Sequence, residues 1–218
     1  MALVCVALTA TAQDEPEYRL ELGAGAGVVA YEGDFNGSIT KGMQPMGGLV
    51  AKYKSNPRMA WAGELSYGQL KGNTHNPDTW YPLAEDRPAK FSTQIVSFDV
   101  KYEYNFWAFG TGREYRGARP LTPFFALGLG LVVASGDGKA VALQMPFGLG
   151  VKYKLRPRLN LTAQWMMHFS GSDKLDGHRD PYDIKSSGMF KNTDCYSALQ
   201  VLVTYDLWAK CKTCHNDL

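Results

Sequence analysis

TQIVSFDVKYEYNF (93–106) is two sequences interleaved. From Val96 onward the even positions are Val96, Phe98, Val100, Tyr102, Tyr104 and Phe106, while the odd positions are Ser97, Asp99, Lys101, Glu103 and Asn105. One face is wholly apolar and the other wholly polar, a period of two that belongs to a β-strand with unlike surroundings on its two sides. The alternation runs longer than the strands of most soluble sandwiches. It matches the roughly 9–11 residues that a tilted strand needs to cross a bilayer.

The same pattern recurs outward in both directions. Arg19–Tyr31 sets Leu20, Leu22, Ala24, Ala26 and Val28 against Gly23, Gly25 and Gly27. Gly47–Lys54, Met59–Gln69, Phe125–Val133, Val141–Tyr153, Leu159–Phe169 and Ser197–Leu207 repeat it. With 93–106 these make eight segments, the even count of bacterial membrane barrels. A soluble barrel of inward-facing apolar residues would have to enclose Trp61, Phe98, Tyr102, Phe125, Phe147 and Trp165 together and coat its outside with glycine. The inverted arrangement fits a narrow eight-stranded lumen filled by glycine and small polar groups. The expected fold is therefore all-β: an eight-stranded antiparallel up-and-down transmembrane barrel, residues 19–208.

Composition agrees. The 218 residues carry 23 Lys+Arg against 21 Asp+Glu, a net charge of +2, too balanced for a bulk-charge nucleic-acid binder. Mean hydropathy is −0.25, and the longest uncharged stretch, Pro120–Gly136, holds two glycines within its apolar core and falls short of the about 20 residues a spanning helix requires. Residues 1–12, MALVCVALTATA, read as a secretory signal peptide ending in an A-x-A site, with 13–18 as a linker and 209–218 as a Cys-bearing tail. Removal of the signal takes Cys5 with it and leaves Cys195, Cys211 and Cys214.

Short connections at Ser55–Arg58 and Leu155–Arg158 alternate with long polar ones near 32–42, 71–91 and 171–194. Two connections break the rule: 107–120 is long on the short-turn side and 135–139 is short on the other. Tyr53, Tyr102, Tyr104, Phe106, Tyr153, Tyr205 and Trp208 gather at the short-turn ends as an interfacial girdle. LVAKYKSNPR (49–58) and LGVKYKLRPR (149–158) echo each other, as two similar hairpins under one geometry would.

The short-turn rim and tail are basic: Lys54, Arg58, Arg113, Arg116, Arg119, Lys154, Arg156, Arg158, Lys210 and Lys212 stand against Glu114 and Asp217. With both termini on that side, the rim is expected to face the periplasm. Arg113, Arg116 and Arg119, with Arg58, Arg156 and Arg158, form a candidate docking surface, whose alternative use is contact with lipid phosphates of the inner leaflet. Lys52, Glu64, Asp99, Lys101, Glu103 and Lys152 are expected to pair inside the lumen and plug it.

Catalysis has little to stand on. His168 falls on the lumen face near Ser170, Ser172 and Asp173, but no G-x-S-x-G elbow accompanies it. It reads as a polar lumen residue. Asp173, Asp176, Asp180 and Asp183 do not follow an EF-hand spacing, and Cys211-Lys212-Thr213-Cys214-His215 has no remaining chain to enclose a haem. No cofactor is expected.

The opening GxGxGVVAYEGDFN (23–36), the KYK-x-x-PR turn (52–58), LSYGQLKG (65–72), PFFALGLGL (123–131), MPFGLGVKYKLRPRLNL (145–161) and CYSALQVLVTYDLW (195–208), in that order and spacing, resemble the PorG-like outer-membrane barrels of the Bacteroidetes type IX secretion system. The resemblance implies a non-enzymatic accessory of protein export, associated with a periplasmic ring lipoprotein and its partner ring protein (PorK/PorN-like). The other readings left open are an outer-membrane enzyme using external loops and His168, and a passive OmpA-like barrel or narrow channel.

The tail cysteines yield a test. Cys195 sits a strand length, roughly 35 Å, from Cys211 and Cys214, far beyond the about 7 Å of bridged Cα atoms. Cys211 and Cys214 therefore either close on each other or one of them bonds a periplasmic partner. In the second case, non-reducing electrophoresis of outer membranes shows a heavy band that reductant collapses. That band disappears in Cys211→Ala/Cys214→Ala and persists in Cys195→Ala; a monomer-only band rejects the intermolecular bond.

Overall fold

The computed structural model describes residues 18–32, 42–73, 90–111, 117–136, 140–171 and 195–209. Eight strands follow in order: β1 (Tyr18–Glu32), β2 (Gln44–Asn56), β3 (Met59–Asn73), β4 (Lys90–Asn105), β5 (Leu121–Gly136), β6 (Ala140–Arg156), β7 (Leu159–Ser170) and β8 (Cys195–Ala209). Each pairs antiparallel with its neighbour in sequence, and β1 closes on β8 from Tyr18↔Ala209 to Glu32↔Cys195. The eight expected segments are the eight strands, and closure leaves no sheet edge. Residues 1–12, expected as a signal peptide, the long 171–194 connection beyond Gly171 and the Cys-bearing tail beyond Ala209 lie outside the described residues.

The faces divide as the alternation requires. Leu129, Leu143 and Val141 are each 70–71% exposed, and Trp61, Phe98, Phe147 and Leu199 also point outward. Ser97, Asp99, Lys101 and Glu103 are buried. A continuous apolar exterior around a closed barrel of this size is far larger than any soluble surface exposes, and its physical partner is lipid. The girdle holds as well: Tyr53, Tyr153, Tyr205, Phe106 and Trp208 are exposed at the short-turn ends. Trp61 meets Tyr102 edge-on at 5.3 Å.

Glycine makes room inside. Asp99 lies across from Gly130 and Phe124 across from Gly150. A Cβ at Gly130 would land on the Asp99 carboxylate, and one at Gly150 would strike the Phe124 ring. Large inward side chains are thus admitted by missing ones on the next strand.

The two faces differ in what a new charge costs. Leu129→Arg or Phe98→Arg, placed in lipid, should destabilise the folded barrel by about 2–4 kcal/mol near the midplane. Ser97→Arg acts instead through crowding, because Ser97 is 1% exposed and its hydroxyl meets that of Ser66 at 2.7 Å. Urea titrations in lipid vesicles measure both. Equal tolerance of arginine at 98, 129 and a loop position would remove the lipid-facing assignment.

Candidate functional site

The lumen has two halves. Toward the long-loop end it is an apolar core of Val29, Tyr31, Met46, Leu70, Ile95 and Val132, with Tyr196 and three alanines. The sequence reading missed this plug, having assigned bulky residues to lipid.

Toward the short-turn end the interior is ionic. Lys52 and Lys152 converge on one carboxylate, Glu103, at 3.1 and 2.6 Å. Two residues further along the same strands, Lys54 and Lys154 converge on Asp206, at 2.5 and 2.8 Å. Lys54 also holds Glu21 at 3.0 Å, and Lys101 donates to Glu64 at 2.5 Å. Each lysine pair also lies against an aromatic ring. Lys152 and Lys52 lie 4.5 and 5.8 Å from Phe124; Lys154 and Lys54 lie 5.4 and 5.9 Å from Phe109. The expected lumen pairing of Lys52, Glu64, Lys101, Glu103 and Lys152 is present. Lys54 and Lys154 correct the sequence reading: they belong to the interior and not to the basic rim. Their parity with Lys52 and Lys152 on each strand is the signal that places them there.

Asp99 is held differently. It accepts from the Gln144 amide at 2.6 Å and lies 3.8 Å from Nδ1 of His168. The His168 ring stacks on Tyr196 with centroids 4.4 Å apart, and Tyr196 donates to Gln144 at 2.7 Å. Ser172 and Asp173, the hydrolase partners considered for His168, lie outside the described residues. Its carboxylate neighbour among the described residues is Asp99, and the ring is buried beside Tyr196 of the apolar plug. Among the described residues, no group of His, Cys and carboxylates is arranged to hold a metal ion.

The described arms of the 107–120 connection, 107–111 and 117–120, lie at the short-turn mouth. The Phe109 N–H donates to the Pro57 carbonyl at 3.0 Å, and Asn105 donates to the same oxygen at 3.0 Å. Arg119 and Gly110 tie the two arms of the connection together through backbone bonds. Phe109, 9% exposed, is thereby set over the inner lysines. The Arg119 guanidinium lies 4.9 Å over the Trp107 ring and is exposed, as are Arg58, Arg156 and Arg158. Arg113, Arg116, Cys211 and Cys214 fall outside the described residues. The two Pro-Arg turns are used alike: the Arg58 carbonyl accepts from Asn105 N–H at 2.7 Å, and the Arg158 carbonyl from Asp206 N–H at 2.8 Å.

The profile of a family described as "Domain of unknown function (DUF6089)" matches residues 1–216. The chain belongs to the DUF6089 family. No curated protein matches its sequence at a significant level. Among solved structures, this DUF6089 barrel is similar to Neisserial surface protein A, at 16% identity and TM-score 0.53, covering 86% of this chain and 97% of that one. It is also similar to the outer membrane protein OprG from Pseudomonas aeruginosa, at 12% identity and TM-score 0.50, covering 90% and 99%. The shared feature is the closed eight-stranded barrel itself.

Neutralising one clamp exposes its importance. Glu103→Gln removes the carboxylate that Lys52 and Lys152 share, and loss of one partner from a buried ion group costs about 3–5 kcal/mol. Glu103→Leu combined with Lys52→Met and Lys152→Met should recover most of that loss. Guanidinium unfolding of the refolded barrel in detergent reads both, and an unchanged midpoint in Glu103→Gln would show that the clamp contributes nothing.

Proposed function

We propose that this barrel is a non-enzymatic outer-membrane anchor of a protein-secretion assembly, of the type IX kind its sequence resembles. In this reading the short-turn rim and both termini face the periplasm, and the rim docks a ring lipoprotein and its partner. The observation that carries the reading is the filled lumen. Ion pairs block the short-turn half, an apolar plug blocks the other, and Phe109 covers the mouth. A barrel whose described lumen is filled works by its surfaces. On the short-turn surface the exposed charges of the described turns are Arg58, Arg119, Arg156 and Arg158, since Lys54 and Lys154 turn inward. Such a surface favours an acidic partner and steers its approach. The order and spacing of the resembling motifs support the type IX assignment.

The test is capture from detergent-solubilised envelopes. The tagged barrel should bring down a periplasmic lipoprotein and a second ring protein. Replacing Arg113, Arg116 and Arg119 together by Glu should leave insertion intact and cut capture by roughly tenfold at low salt, with the difference shrinking as salt screens the charges. Capture that ignores the triple change sinks the docking role of this connection, and a barrel that captures no ring protein sinks the anchor reading. Planar-bilayer recordings of the refolded barrel should be silent; steady ion conductance would instead favour the narrow channel.

A further inference from the structure

The lipid-facing surface is not evenly padded. Across β1 to β4 one row of outward residues reads Leu22, Ala51, Gly63, Val100, paired strand to strand. The two small residues form the floor of a pit of about 680 Å³. Leu49, Leu65 and Phe98 wall it toward mid-barrel, and Tyr53 and Trp61 wall it toward the short turns.

Gly63 differs from the inward strand glycines. Those at 130 and 150 face crowded neighbours, whereas a Cβ at Gly63 would meet nothing closer than the Ala51 carbonyl oxygen at 3.9 Å. The protein itself does not demand glycine there. Glycine inside a strand weakens it, and where no internal neighbour accounts for it, close approach from outside does.

The pit is immersed in the apolar exterior, so its filler is drawn from the membrane. A second barrel offers a convex wall that cannot enter a hollow two strands wide, about 10 Å. An acyl chain is narrower than one strand spacing and can. Depth assigns the leaflet. Gly63 is five residues from Arg58 in the β2–β3 turn, about 16 Å along a tilted strand. That is within the hydrocarbon of the nearer leaflet, about half of a 30 Å core. Arg58 is exposed at that end, and among the described residues no carboxylate pairs with it. Its guanidinium is suited to a phosphate.

We propose that the pit seats one acyl chain of an anionic phospholipid from the short-turn leaflet, with the lipid phosphate at Arg58. The site rests on the lipid-facing exterior and does not depend on which assembly the barrel serves.

Native mass spectrometry of the refolded barrel, equilibrated with phosphatidylglycerol and phosphatidylcholine in detergent, tests it. The natural protein should retain one phosphatidylglycerol. Gly63→Leu and Ala51→Leu, each filling the pit, should lower the lipid-bound fraction roughly tenfold by removing that packing. Heat-modifiable migration in electrophoresis confirms that each variant is folded, and two independent variants guard against one misfolding. Ala163→Leu, the same change on the exposed face of β7, should keep the lipid. Arg58→Gln should retain lipid but lose the preference for phosphatidylglycerol over phosphatidylcholine. Equal retention in the natural protein and both pit variants overturns the site. So does an equal loss in Ala163→Leu, or a barrel dimer that Gly63→Leu dissolves, which would make a second copy the occupant.

Discussion

Two carboxylates, Glu103 and Asp206, each gripped by two lysines from opposite sides of the barrel, hold the interior together. Lys52 and Lys54 come from β2, Lys152 and Lys154 from β6, and neither strand touches the other through the backbone. The clamps therefore bridge the lumen. They set its width where only side chains can, since backbone hydrogen bonds run around the wall and not across it. Glu103 from β4 and Asp206 from β8 complete the crossing, so four alternate strands meet in two layers. Phe124 and Phe109 lie beside the lysines of each layer and offer both like charges an aromatic face.

This geometry explains the sequence echo. KYK followed by a Pro-Arg turn occurs on β2 and again on β6, half a barrel apart in strand order. Both copies carry an irregularity at the same place, between Lys54 and Asn56 and between Lys154 and Arg156. Both turn carbonyls receive the backbone N–H of the strand that supplies or borders a clamp carboxylate. The repeat is a matched pair of jaws, which goes further than two hairpins obeying one turn rule.

The strands, their faces and the aromatic girdle were legible because period-two alternation is a local property. The lumen contacts were only partly so. Lys52, Lys101, Lys152, Glu64 and Glu103 could be placed inside by parity, but their partners depend on closure across the barrel, which no local pattern encodes. Lys54 and Lys154 were assigned to the rim because they border Pro-Arg turns, although their even parity already pointed inward. Tyr31, Tyr196 and Phe124 were hidden by the opposite habit of sending bulky rings to lipid. The 107–120 connection reads in the sequence as a basic docking surface, and nothing local shows that its arm at 107–111 folds back over the lumen. That fold-back depends on Pro57, fifty residues away, accepting from Phe109.

Buried ion pairs seldom stabilise a fold more than well-packed apolar groups would, so their presence here calls for another reason. A membrane barrel must be apolar outside. Were it apolar inside as well, each strand would read the same in either register, and a one-residue slip would exchange the faces at little cost. With the clamps in place, the same slip of β2 or β6 turns two lysines outward to the lipid-facing side near the short-turn interface, at a cost of up to about 1 kcal/mol each that grows with depth. It also strands their carboxylates in the lumen. The apolar plug at the long-loop end lacks this protection on its own. There the Gln144 amide, shared between Asp99 and Tyr196, supplies the polar mark that tells inside from outside. The ionic layers thus act chiefly on specificity: they make one register and one inside compatible with the bilayer, and in doing so they fill the space a pore would need.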